Sequence, residues 1–194
     1  GGIDCGTGIG RMMEAARMIA KSGAKPKRTI LFIGFAGEEF GLLGAQAWVK
    51  AHKDKLPKIA NLFNRDGGPE PPVGISVPQA MYDDFVKISE PIQKIRPDYP
   101  FEVKVREPRK RPTRMGGTDA SVFAIEGVPT LGFTTEDFKG YDFDYGEIWH
   151  TERDLYTKNI PEYQEHTATV TAIIALGVAN LDKQLSREGL YTEE

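Results

Sequence analysis

The sequence predicts an α/β fold, a mixed, largely parallel sheet sandwiched between helices. Three observations carry this. Apolar stretches of strand length alternate with segments of helical spacing along the chain. The stretch ILFIGFA at 30–36 is apolar at nearly every position, as in a strand covered on both faces. The segment from Pro161 onward keeps apolar residues at helical spacing through Val170, Ile173, Ile174 and Val178.

The elements follow in order. After GGIDCGTG, apolar residues at Ile9, Met12, Met13, Ala16 and Ile19 predict a helix, ended by Gly23 and Pro26. A strand is expected at 30–36 and a second helix through Gln46 to about His52. IANLFNRDGG at 59–68 reads as a strand ending in a turn. A helix fits 80–95, where Phe85, Ile88 and Ile92 share a face. FEVKVRE at 101–107 alternates like a strand with one exposed face, and GVPTLGFTT at 127–135 reads as a further buried strand. The last helix is expected over 161–185. With 194 residues and no repeat or linker, 1–194 reads as a single domain with a sizeable core. The opening reads as the interior of a domain, so a preceding segment is expected to be missing from this chain.

Bulk properties narrow the function. Lys and Arg total 25 and Asp and Glu 28, a formal charge of −3, so no general attraction to nucleic acid is expected. No apolar run approaches the roughly 20 residues of a membrane span. The single cysteine, Cys5, excludes an internal disulfide. The three histidines, His52, His150 and His166, leave little room for an all-histidine metal site.

In sheets of this kind functional groups gather where strands end. That rule selects the adjacent Glu38 and Glu39 after 30–36, Asp66 after 59–65, Asp4 ahead of the first helix, and His150 after the loop that follows 127–135. Asp4, Glu39, Asp66 and His150 offer oxygen and nitrogen ligands suited to zinc, manganese or cobalt. Glu38, beside a ligand but free of the metal, suits a general base that accepts a proton from water and passes it to a leaving amine.

Four motifs in this order give a specific resemblance. GIDCGTG, FAGEEFGLLGA, NRDGG and WHTERD are together similar to segments of the zinc exopeptidases of the bacterial leucyl aminopeptidase and carboxypeptidase Q type, the clan MH metallopeptidases. The resemblance covers nearly the whole chain and is nearer to bacterial carboxypeptidase Q-like members. It implies the zinc exopeptidase, phosphorylase/hydrolase-like fold. It also implies Glu38 as catalytic base and Asp4, Glu39, Asp66 and His150 as metal ligands, with Asp4 bridging two ions. GGTDASVF resembles the segment that shapes the substrate pocket, so Gly117 and Asp119 become pocket candidates, with Asp154 and Tyr145 as supporting residues. Ala120 stands where relatives often carry histidine. The family's upstream His-x-Asp segment, whose histidine binds one ion, is not in this chain. Of the family's two zinc ions, one or none is therefore expected here. Peptides or dipeptides are the expected substrates, with no nucleic-acid or membrane partner, and the resemblance implies a periplasmic or secreted full-length protein.

Aminopeptidase and carboxypeptidase action both stay open. So do two rivals: glutaminyl cyclase-like or other amide chemistry on the same site, and an inactive fragment or binding domain. His52 and His166 read as structural or exposed, and Cys5 as a buried bystander. The basic stretch 104–114 reads as a solvated loop near the pocket, and the aromatic, acidic stretch 136–147 as a candidate lid beside His150.

Overall fold

A computed structural model describes residues 1–192. The central strand is β1 (Pro72–Val77). It pairs in parallel with β2 (Glu102–Val105) and antiparallel with β3 (Phe133–Thr135), so the sheet is mixed. No strand is expected at 72–77 from the sequence, because Pro71, Pro72 and Gly74 carry little strand preference. Pro72 is tolerated as the first strand residue. Gly74 is required by packing: a Cβ there would lie 2.3 Å from the Glu102 carbonyl oxygen.

Ile75 and Val77 lie two residues apart on β1 and are fully buried. They meet Phe85, Ile88 and Ile92 of α3 (Tyr82–Ile95) and Val170, Ile174 and Val178 of α6 (Pro161–Asn180). Burial of each such side chain contributes about 1.5–3 kcal/mol, which makes this cluster the main stabilising unit. Pro161 opens α6 in its first turn, where proline's missing N–H costs nothing. The helix ends at Asn180, five residues short of expectation, because Leu181 turns extended with ψ of 144°.

α1 (Gly6–Lys21) packs along α6, with Ala15 and Ile19 against Ala172. Its inward face differs from the apolar stripe. Thr7, Gly8, Arg11, Ala15 and Ile19 are buried, whereas Ile9 and Met13 are exposed. The helix approaches the 65–68 turn so closely that a Cβ on Gly8 would sit 2.3 Å from the Arg65 carbonyl oxygen. Small residues that permit this contact set the rotation of α1, and Arg11 is carried inward with them.

Two expected strands are extended chain without a ladder. Residues 30–35 have no strand partner among the described residues. Ile30 and Phe32 pack beside α1 and α6, Phe35 packs on Phe123, and Leu31 is 62% exposed. Apolar content reports burial, whereas a ladder also needs a partner in register. At 59–65 one backbone bond, from Leu62 N–H to the Pro129 carbonyl (2.9 Å), and the Asn61 side chain do the joining. Asn61 Nδ2 donates to the Leu131 carbonyl (3.2 Å) and its Oδ1 accepts from Leu131 N–H (2.8 Å), in place of a backbone ladder. Of 127–135, only β3 is ladder-paired. Two further helices, α2 (Leu43–Ala51) and α4 (Ala120–Ile125), share a second core of Ala45, Val49, Val122 and Phe123. A short α5 (Tyr145–Ile148) precedes His150.

Candidate metal centre

The Glu38–Glu39 pair sits in a tight turn ahead of α2. Gly41 and Leu42 N–H both donate to the Glu38 carbonyl (2.9 and 2.8 Å), and Leu43 N–H donates to the Gly37 carbonyl (3.0 Å). Gly37 (φ 70°) and Gly41 (φ 105°) supply left-handed backbone at low cost on either side of the pair. Leu42 adopts φ of 61°, an uncommon conformation for a bulky residue, held by this hydrogen-bonded turn.

Asp4 lies just ahead of Cys5, the residue that caps the start of α1. Its turn is oriented by the Asp154 carboxylate, whose side chain is only 5% exposed. Asp154 accepts from Ile3 N–H (2.5 Å) and Asp4 N–H (3.2 Å). His150 follows α5 in a left-handed conformation, φ 56°, with the Trp149 ring 4.2 Å from its own.

These segments converge. One ligand atom each from Asp4, Glu39 and His150 lie within 4.8 Å of one another. His150 Nε2 stands 3.1 Å from Glu39 Oε2. Asp66 falls outside this set of three but adjoins it. Burial first, then a hydrogen bond and the charge of Asp4, push the Asp66 carboxyl up to about 6. Glu38 is half-buried and is pushed up to about 6 by burial, then by Asp66, Glu39, Asp119 and Asp4. The Tyr145 phenol is raised by burial and by a hydrogen bond with Asp4, and it lies over Gly67, beside Asp66. Asp119 is 8% exposed with Oδ1 unpartnered, and burial raises its carboxyl. Gly117 is exposed, and a side chain there would meet nothing within 4 Å.

The donor set fits a divalent cation. Two carboxylates and an imidazole are zinc chemistry. The crowding of Asp4, Glu38, Glu39 and Asp66, which raises two of them, is what a cation relieves. Cys5 is half-buried and not fully enclosed. Its thiol is pushed up to about 11 by burial and then by Asp66, Asp4, Glu38 and Asp119.

The remaining expectations resolve as follows. His166 is fully buried, stacked on Tyr99 at 3.8 Å, and His52 stacks on Trp48. The 136–147 stretch is a packed strap. Phe138 and Phe143 lie against Tyr99, Ile160 and Tyr163, and the Tyr163 hydroxyl donates to Asp137 Oδ1 (2.6 Å). It delivers Tyr145 to the site. The basic stretch 104–114 includes only Lys104 and Val105 from the end of β2, and Arg109 and Lys110 line an open cleft of about 320 Å³ with Ser121 and Thr130. Sequence reasoning missed Arg11 and Arg65. Arg11 lies off the apolar stripe of α1 and gave no signal, and Arg65 offered only its place next to Asp66 in NRDGG.

Comparison with known proteins decides the family. Residues 1–174 match the description Peptidase family M28. The chain belongs to peptidase family M28. Among family M28 structures, a peptidase M28 precursor from Shewanella amazonensis superposes with a TM-score of 0.73 at 26% identity, over 94% of this chain and 38% of that one. A zinc aminopeptidase from Bacillus subtilis shares the fold, with a TM-score of 0.61 at 19% identity over 98% of this chain and 45% of its own. Carboxypeptidase Q of Mus musculus is 24% identical over 192 residues, 96% of this chain and 37% of the relative. The chain thus spans little more than a third of that relative's length.

Proposed function

We propose that this chain carries the metal centre of a zinc-dependent exopeptidase, with Glu38 as general base. The observation that carries this reading is the meeting of Asp4, Glu39 and His150 from three distant segments, with Glu38 beside them and outside the set. When bound, zinc supplies Lewis-acid polarisation of a carbonyl and a more acidic water. The chain's own residues do the rest. Asp4, Glu39 and His150 hold the ion, Asp154 fixes the Asp4 turn, and Glu38 accepts a proton at its carboxylate and returns it to the leaving amine. Among the described residues Asp66 joins no group of three or more close donors, and with its neighbour Asp4 it offers too few for a second tight site. One zinc per chain is therefore the reading supported best. The resemblance to carboxypeptidase Q-type enzymes supports peptides or dipeptides as substrates and an exported full-length protein.

The test is hydrolysis of an aminoacyl chromogenic substrate in one arm and of unmodified dipeptides in the other. Glu38→Gln is expected to lose activity by about 10²–10⁴-fold while binding zinc as the parent does. Loss of zinc in that variant would place Glu38 among the ligands and remove it as the base.

A further inference from the structure

Two guanidiniums, one buried and one half-buried, meet at the turn that bears Asp66, near Glu70, and neither comes within 4 Å of a carboxylate among the described residues. Arg11, on α1, is 2% exposed. Arg65 immediately precedes Asp66 and is half-buried. Both aim at one acceptor. Arg11 Nη2 donates to the Gly68 carbonyl at 3.0 Å and Arg65 Nη2 donates to the same oxygen at 2.9 Å. Arg65 Nη2 also reaches the Glu70 carbonyl at 2.9 Å, and Arg11 Nε donates to Gln164 Oε1 of α6. Arg11 Nη1 and Arg65 Nε have no partner. Placing two like charges side by side in the interior is costly, and a buried charge without an ion pair is costlier still.

The connectivity shows what the arrangement holds. Arg11 belongs to the helix that follows Asp4, and Arg65 and Gly68 bracket Asp66. Gly8 brings that helix against the Arg65 carbonyl. The shared Gly68 carbonyl therefore ties the segment bearing Asp4 to the turn bearing Asp66. We propose that Arg11 and Arg65 are positioning residues that hold α1, and with it the ligand Asp4, against the Asp66 turn by sharing the Gly68 carbonyl. This rests on the reading of Asp4 as a zinc ligand. Lysine is a partial substitute, since it keeps one donor but loses the planar fork.

The experiment measures zinc affinity by calorimetry and the visible absorption of the cobalt-loaded protein, for the parent and for Arg65→Met, Arg65→Lys, Arg11→Met and Gln164→Ala. Folding is checked by far-ultraviolet circular dichroism. Arg65→Met and Arg11→Met are expected to weaken zinc about 10–100-fold, the usual effect of losing a group that orients a ligand. The cobalt bands should shift, and Arg65→Lys should recover part of the loss. If Arg11→Met does not fold, Gln164→Ala, which frees only Arg11 Nε, carries the same expectation at a few-fold. Folded variants with zinc affinity within twofold of the parent and unchanged cobalt bands would overturn the clamp while leaving the metal centre intact. A parent chain that binds no zinc would overturn both.

Discussion

At the scale of single residues, the candidate site concentrates unfavourable features. Left-handed His150 and four crowded carboxylates meet near Asp4, left-handed Leu42 lies in the turn after Glu39, and two guanidiniums share the Gly68 carbonyl. Such features persist where surrounding structure over-determines them. A residue away from the centre behaves differently. His166 is buried, its Nε2 lies 3.2 Å from the Pro72 carbonyl, and burial pushes its imidazole down to about 4. The Pro72 carbonyl opposes the shift, as does Asp98, while Arg96 and Lys139, both over the Tyr99 ring, reinforce it. The unfolded chain takes up a proton near pH 6.5 and the folded chain only near 4, so stability falls as pH drops through that window. The loss should be on the order of 2–3 kcal/mol. Urea unfolding at pH 7.5 and pH 4.5 reads it. A His166→Gln variant with the same pH dependence as the parent would show that other groups cause it.

At the scale of elements, the longer helices were legible in the sequence because their apolar spacing reflects burial directly, whereas α4 and α5 are too short to show a period and were not expected. α3 and α6 bury Phe85, Ile88, Ile92, Val170, Ile174 and Val178, all readable from periodicity. Strands were less legible because a ladder depends on a distant partner. The apolar 30–36 stretch lacks one among the described residues, while the proline-led β1 is the central strand. Asn61 shows the same limit from the other side, since one amide side chain stands in for a ladder that its sequence position does not announce. The rotation of α1 was missed because Gly8, not the apolar residues, sets it. Gly8→Ala is therefore expected to destabilise by about 1–3 kcal/mol, as overpacking against fixed backbone does. Thermal unfolding measures this. A variant as stable as the parent would show that α1 does not depend on this contact.

At the scale of the whole molecule, the fold brings together residues from positions 4, 39 and 150 with Asp66 alongside. The sequence order of the motifs identified these acids and the histidine, since their chemistry is carried by residue type. It could not show Arg11 and Arg65, whose role arises only from the close approach of α1 to the 65–68 turn. The central claim is that Asp4, Glu39 and His150 form one zinc site with Glu38 outside it. Calorimetric zinc titration of the parent, His150→Ala and Glu38→Gln tests this most directly. One tight site in the parent, lost in His150→Ala and kept in Glu38→Gln, is the predicted result. Two tight sites per chain, or tight binding that survives His150→Ala, would contradict it.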